Sequence, residues 1–242
     1  MMSSIFICEN TSIMEFFLYL KILKLVMKTR VKICCISSKE EAQQAIKYGA
    51  NGLGLVGNMP SGPGVIGDDL IKDITKIIPP TLASFLLTSE TTAAAIIQHY
   101  KKVYTNTIQL VDELKNEEYQ ILRKELPWVK LVQVIHVIDE NSVTEAVEKS
   151  QFVDAILLDS GNPNLQVKEL GGTGRTHNWA ISKKIKEEIA IPLFLAGGLN
   201  PDNVCEAIDA VQPFGVDICS GVRTDGKLDE KKLEAFFRVI ND

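Results

Sequence analysis

Short apolar runs alternate with amphipathic stretches eight times along this chain of 242 residues. The apolar runs span residues 31–35, 53–56, 82–87, 107–110, 130–137, 152–158, 191–196 and 214–219. They are continuously apolar, which is typical of parallel strands buried on both faces. Strict alternation of strands and helices indicates an α/β protein. Eight repeats in this length favour a single closed (β/α)8 TIM barrel over an open doubly wound sheet.

The predicted helices have recognisable ends. The first begins after Ser37 and Ser38, whose hydroxyls can cap it, and ends at Gly49. The others are expected over residues 68–77, 89–100, 113–126, 141–149, 178–188, 201–211 and 229–240. No Gly-x-Gly-x-x-Gly motif follows the first strand, so a dinucleotide-binding sheet is not favoured. Because no linker-like stretch follows residue 26, residues 27–242 are predicted to form one catalytic barrel domain.

Residues 1–26 differ from the rest and are treated as an N-terminal extension. The apolar stretch over residues 16–26 is interrupted by Lys21 and Lys24, whereas a membrane-spanning helix needs about 18 uninterrupted apolar residues. A secretory signal is not indicated, because the first charged residue is Glu9 and no small-residue cleavage site follows. Three interpretations stay open: a non-native extension before a working start at Met27, an amphipathic helix, or a membrane or targeting anchor.

Charge and cysteine content exclude several classes of function. The 26 Lys and Arg residues against 31 Asp and Glu residues give a net charge of −5, so no overall positive field attracts nucleic acid. The five cysteines include no Cys-x-x-Cys pair and no Cys/His spacing typical of a metal site. This pattern argues against a disulfide framework or a zinc site and predicts a reducing, cytoplasmic location.

Small and polar residues follow the last two predicted strands. Gly197 and Gly198 follow the seventh strand, and Ser220 and Gly221 follow the eighth, just after Asp217. Active sites of such barrels lie at the carboxyl ends of the strands, where these loops commonly bind phosphate through backbone N–H groups. We therefore predict a phosphate site at these two loops.

An acid and a potential base follow two other strands. Cys34 ends the first strand and Asp159 ends the sixth. Each has a plainer interpretation alone, because a buried Cys usually packs and an Asp at a strand end can cap a loop. Together they place a proton donor and a proton acceptor around one barrel mouth, as a proton-transfer enzyme acting on a sugar phosphate requires.

In their order along residues 31–240 these motifs resemble the phosphoribosylanthranilate isomerases of tryptophan biosynthesis. The similar segments are Val31–Cys34, Gly49–Ala50, Gly52–Gly54, Ile108–Leu110, Leu157–Ser160, Gly171–Thr176 with Trp179, Ala196–Val204 and Asp217–Val222. The resemblance implies an Amadori rearrangement of a phosphoribosyl amine, with Asp159 as general acid and Cys34 as general base. It implies no metal and no organic cofactor. We expect a small-molecule substrate, no nucleic-acid or membrane partner, and a monomer or homodimer.

Several positions depart from the family pattern where the aromatic acid would bind. Gly64 lies nearest the position of the family's Arg that holds the anthranilate carboxylate, and Arg175 and Arg223 are candidate replacements. Cys35 stands where the family usually has Gly, and strand alternation predicts that its side chain points away from that of Cys34.

These departures keep alternatives open. One is a sister isomerase acting on another phosphoribosyl amine, since the family's Leu-His-Gly is Leu110-Val111-Asp112 here. Another is a non-catalytic barrel that binds a phosphosugar, and a third is a membrane-associated scaffold using residues 13–26. The sequence argues against metal-dependent ribulose-phosphate epimerases, because the required His/Asp pairs are missing at the strand ends.

Overall fold

A computed structural model of the chain describes residues 29–60, 62–161 and 174–241. In this part of the chain eight parallel strands close into a barrel in chain order, with the first strand paired to the eighth. The strands are β1 Arg30–Ile33, β2 Gly52–Val56, β3 Ala83–Thr88, β4 Thr107–Leu110, β5 Lys130–His136, β6 Ala155–Asp159, β7 Leu193–Leu195 and β8 Gly215–Ile218. The predicted (β/α)8 barrel is therefore confirmed.

A helix follows each barrel strand. The helices are α1 Lys39–Tyr48, α2 Asp68–Thr75, α3 Ala93–Val103, α4 Asn116–Glu125, α5 Asn141–Ser150, α6 Trp179–Glu188, α7 Val204–Val211 and α8 Glu230–Asn241. The ends of α1 agree with the sequence signals: Ser38 Oγ accepts a hydrogen bond from the Glu41 N–H, and Gly49 adopts a φ of 105°. The start predicted for α7 at residue 201 is wrong, because residues 201–203 form a turn.

Apolar side chains pack in two layers. The outer layer lies between the strands and the helices and includes Leu53, Leu86 and Ile108. The inner layer fills the barrel, and its buried members are Cys34, Cys35, Val56, Phe85, Leu87, Val111, Val132, Val134, Ala155, Leu157, Phe194 and Ala196. Successive residues of a strand alternate between the two layers. Inward-facing residues at the carboxyl ends of the strands therefore meet at one mouth of the barrel.

A short antiparallel hairpin that was not predicted follows β8. Its strands are β9 Arg223–Thr224 and β10 Lys227–Leu228. Glu41, in the first turn of α1, accepts a hydrogen bond from the Leu228 N–H at 2.9 Å and pairs with Arg223 at 3.1 Å. The hairpin thus connects the chain that follows β8 to the chain that follows β1.

Some predictions fall outside the described residues. They concern the extension over residues 1–26, the start at Met27 and positions 171–173 of the Gly-rich loop. The domain boundaries therefore stay predictions. In the part of the chain that the structure describes, no helix combines the length and the apolar character needed to cross a bilayer.

Candidate active site

A cavity opens at the carboxyl ends of the barrel strands. Active sites of such barrels lie at this end. The residues that line it are Cys34, Cys35, Val56, Met59, Gly62, Pro63, Leu87, Gln109, Val111, Asp159, Gly174, Ala196, Gly197, Gly198, Leu199, Asp217, Cys219 and Ser220. The cavity therefore brings together residues that lie far apart in the sequence.

The two predicted acid and base residues face this cavity from different strands. Cys34 follows β1 and is 6% exposed, and Asp159 ends β6 and is 9% exposed. One Asp159 oxygen, Oδ1, accepts a hydrogen bond from the Ser160 N–H at 2.7 Å. The structure thus places a thiol and a carboxyl group at one mouth, as the sequence predicted for their positions.

A buried ion pair lies beneath Cys34. Lys32 Nζ is 2.8 Å from Asp217 Oδ1 and lies over the ring of Phe85. Burial alone would lower the pKa of Lys32, but the Asp217 carboxylate raises this pKa above its ordinary value, so Lys32 is charged. Gly54 leaves the space for this arrangement, because a Cβ there would lie 2.8 Å from Cys34 Sγ and 3.0 Å from Lys32 Nζ. A fixed cation therefore adjoins the thiol.

The predicted phosphate loops, which follow β7 and β8, contact each other. Gly197 and Gly198 have φ values of 84° and 61°, which favour glycine. A Cβ on Gly198 would lie 2.6 Å from the Arg175 carbonyl carbon, and a Cβ on Gly221 would overlap the Leu199 carbonyl oxygen. Among the described residues, no backbone acceptor bonds to the N–H groups of Gly197 and Gly198. Both N–H groups remain able to bind an anion.

The structure brings the remaining predicted residues to different places. Gly197, Gly198, Ser220 and Asp217 line the cavity, whereas Gly221 packs behind it. Arg175 is exposed and follows Gly174, which lines the cavity.

Arg223 does not line the cavity and lies in the buried pair with Glu41. Its Nη2 also donates to the carbonyl oxygens of Cys34 and Cys35, at 3.1 and 2.6 Å. These contacts favour a structural role for Arg223 over contact with a substrate carboxylate.

The orientation predicted for Cys35 is wrong. Its φ is 61°, which breaks the alternation of the strand. The thiol consequently lines the cavity within hydrogen-bonding reach of Cys34 and Cys219. Gly64, with a φ of 75°, packs on Cys35, and a Cβ on Gly64 would lie 2.6 Å from Cys35 Cβ. No larger side chain fits at position 64 beside Cys35.

Gln109 is a candidate site residue that the sequence reasoning missed. It lines the cavity at 3% exposure, and its Oε1 has no hydrogen-bond partner among the described residues. A buried polar atom without a partner is costly, so a cavity that leaves one suits a polar ligand. The available signal was a lone Gln in the otherwise apolar segment Ile108–Val111.

Comparison with known proteins agrees with this geometry. The family model described as N-(5′-phosphoribosyl)anthranilate (PRA) isomerase matches residues 31–239. A protein of Methanosarcina acetivorans named N-(5′-phosphoribosyl)anthranilate isomerase is 35% identical over 227 residues, which cover 88% of this chain and 94% of the relative.

Solved structures show the same similarity. The crystal structure of phosphoribosyl anthranilate isomerase from Thermotoga maritima is 29% identical with a TM-score of 0.74, covering 88% of this chain and 98% of that one. Another, of such an isomerase in complex with reduced 1-(o-carboxyphenylamino)-1-deoxyribulose 5-phosphate, is 28% identical with a TM-score of 0.71 and the same coverage. A family match across most of the barrel, together with a relative of this identity, shows that the chain belongs to the N-(5′-phosphoribosyl)anthranilate isomerase family and is an isomerase.

Proposed function

We propose that this chain converts N-(5′-phosphoribosyl)anthranilate to 1-(2-carboxyphenylamino)-1-deoxyribulose 5-phosphate, with Asp159 as general acid and Cys34 as general base. The observation that carries the proposal is the shared cavity, which Cys34 and Asp159 line together with Gly197, Gly198 and Ser220. The related structure in complex with the reduced form of this product supports the choice of substrate.

The rearrangement needs one proton donated and one removed. Asp159 donates a proton to the ring oxygen of the ribose as the bond from that oxygen to the first carbon breaks, and the amine nitrogen becomes an iminium. Cys34 then removes the proton from the second carbon, and the resulting enolamine relaxes to the ketone. The charged Lys32 adjoins Cys34 and stabilises negative charge that develops in this part of the cavity.

The two ends of the substrate fit different walls. The N–H groups of Gly197 and Gly198, with the Ser220 hydroxyl, bind the phosphate. The opposite wall, formed by Val56, Met59, Leu87 and Val111, is apolar and accepts the aromatic ring. Oriented this way, the substrate spans the cavity between Asp159 and Cys34.

Recognition of the polar groups on the anthranilate differs from the family pattern. No described residue that lines the cavity is cationic, and Gly64 packed on Cys35 excludes an Arg there. Gln109 Oε1 is placed to accept a hydrogen bond from a hydroxyl or amine of the substrate. Arg175, next to Gly174 at the cavity, stays our candidate for the carboxylate. Oligomeric state and cytoplasmic location stay predictions.

The test is turnover of phosphoribosylanthranilate, generated in place, by the wild type and by Asp159→Asn and Cys34→Ser. Removal of a general acid or base costs about 10²–10⁴-fold in rate, so both variants should lose at least this much. Cys205→Ser is the matched control, because Cys205 is an exposed thiol outside the cavity.

Two results would count against the proposal. Turnover that survives in both variants would reject the roles of Asp159 and Cys34. A folded wild type that binds the reduced product analogue without turning over phosphoribosylanthranilate would favour a different phosphoribosyl amine as substrate.

A further inference from the structure

Three thiols that the sequence separates meet on one wall of the cavity. Cys34 and Cys35 follow β1, and Cys219 follows β8, the strand paired with β1. The strand register matches Lys32 to Asp217 and Ile33 to Ile218, and the Cys34 N–H donates to the Ile218 carbonyl at 2.8 Å. All three cysteines are reduced and line the same cavity.

The three thiol side chains point in different directions. Cys34 Sγ lies toward β2, because a Cβ on Gly54 would be 2.8 Å away from it. Cys35, turned inward by its φ of 61°, lies within hydrogen-bonding reach of Cys219 and of its chain neighbour Cys34. Cys219 is therefore the thiol on the neighbouring strand that Cys35 can reach, whereas Cys34 Sγ is directed toward β2.

We propose that Cys35 and Cys219 form a reversible disulfide when a hydroperoxide enters the cavity, and that this bond stops turnover while leaving Cys34 reduced. Cys219 is partly exposed to the cavity and is the thiol that reacts first. Its sulfur attacks one peroxide oxygen, the oxygen–oxygen bond breaks, and a sulfenic acid forms as the alcohol leaves, or water when the oxidant is hydrogen peroxide. The Cys35 sulfur then attacks Cys219, the sulfur–oxygen bond breaks, and the hydroxyl leaves as water with the Cys35 proton.

The electrostatics favour this order of events. The hydrogen bond from Cys35 lowers the pKa of Cys219 below its ordinary value despite burial, whereas the same bond raises the pKa of Cys35. Because the thiolate is the reactive form, Cys219 is the better first nucleophile. Cys219 directly precedes Ser220 of the phosphate loop, and both line the cavity, so a covalent bond at Cys219 changes the shape of the phosphate site.

The test treats the reduced full-length protein with hydrogen peroxide and maps disulfides by mass spectrometry without reduction. In a Cys205→Ser background, tryptic peptide 187–223 carries Cys219 as its only thiol, whereas peptide 33–39 carries both Cys34 and Cys35. We expect peptide 187–223 to be joined to peptide 33–39, with a mass reduced by the two thiol hydrogens. Turnover should be mostly lost in step with this product and should return with dithiothreitol.

Two further variants separate the partners, each compared with its own activity before oxidation. Cys35→Gly suits the left-handed φ at this position, and Cys219→Ser keeps a small polar side chain. Neither should form the joined peptide or show the reversible loss, whereas Cys205→Ser alone should behave as the wild type. The peptide map does not depend on turnover, so it also decides the proposal if phosphoribosylanthranilate proves not to be the substrate.

Three outcomes would overturn the proposal. One is a joined peptide that persists in Cys35→Gly, which would assign the bond to Cys34. Another is oxidation of Cys34 to a sulfenic acid with no disulfide. The third is a disulfide that forms fully while turnover is unchanged.

Discussion

At the scale of single residues, Cys35 and Gly64 pack directly against each other. A cysteine at a φ of 61° costs about 1–2 kcal/mol relative to ordinary backbone. The 2.6 Å hydrogen bond from Arg223 Nη2 to the Cys35 carbonyl oxygen holds the backbone there. The Cys35 side chain then occupies the volume that any side chain at position 64 would need. The two departures from the family pattern are thus physically coupled.

His177 lies behind the phosphate loop. Its Nε2 is 2.7 Å from Ser182 Oγ, whereas its Nδ1 has no hydrogen-bond partner in the described part of the chain and is the nearest atom to a Cβ built on Gly197. Burial lowers the pKa of His177 from 6.5 to about 4, and the nearby charge of Asp159 opposes this effect only partly. The imidazole is therefore uncharged near neutral pH, so His177 adds no positive charge behind the phosphate loop.

This pKa predicts a loss of stability in acid. Between pH 6.5 and about 4 the unfolded chain protonates this histidine while the folded chain does not. The unfolded state then binds more protons, so stability falls as pH falls through this window and is unaffected above it. Between about pH 7.5 and about pH 5, the free energy of unfolding measured in urea should fall by about 2 kcal/mol more in the wild type than in His177→Gln. An acid loss of equal size in both proteins would contradict the assignment.

At the scale of secondary-structure elements, a buried ion pair between Glu41 and Arg223 holds the hairpin β9–β10 in place. Glu41 accepts hydrogen bonds from the N–H groups of Ser37 and Leu228, both at 2.9 Å, and from Arg223. Both members of the pair are less than 10% exposed. Burial would raise the pKa of Glu41, but the Arg223 and backbone donors lower it below its ordinary value, so the carboxylate is charged. The pair joins β1, α1 and the hairpin.

Arg223→Met should destabilise the fold by about 3–5 kcal/mol, because it leaves a buried carboxylate without its counter-ion. Adding Glu41→Gln should recover part of this loss, since the amide removes the buried charge. Its single oxygen keeps only one of the two backbone hydrogen bonds, which go to different carboxylate oxygens in the wild type. The exposed pair Lys47–Glu230 is the control, and Lys47→Met should cost less than about 1 kcal/mol in the same urea titration. If the double variant proves less stable than Arg223→Met, the charge is not the cause.

Local sequence signals predicted elements wherever local contacts determine them. The bounds of β4 at Thr107–Leu110 and the cap of α1 at Ser38 agree with the structure. The hairpin escaped prediction because contacts with Glu41, distant in sequence, stabilise its two-residue strands. Cys35 was misplaced for the same reason, since Arg223 holds its backbone from another element.

The candidate site was predictable where topology alone determines it. A closed barrel brings the ends of β1 and β6 to one mouth, so Cys34 and Asp159 were expected together without knowledge of any contact. Gln109 was missed because its importance depends on an unpaired oxygen, which only packing reveals. Strand order thus determines which residues share the cavity, and side-chain packing determines how each one faces it.

Closure of the whole barrel predicts what the extension contributes. Strand β1 pairs with β8 through Arg30–Ile33 and Gly215–Ile218, so the pairing that closes the barrel begins at residue 30. The family match likewise begins at residue 31. A protein that starts at Met27 should therefore unfold at the temperature of the full chain and keep its kcat/KM. A protein that starts at Cys34 lacks β1 and should fail to fold, because eight strands are needed to close this barrel. Calorimetry and turnover of the two truncations test this, and lower stability or activity in the Met27 protein would show that residues 1–26 belong to the working enzyme.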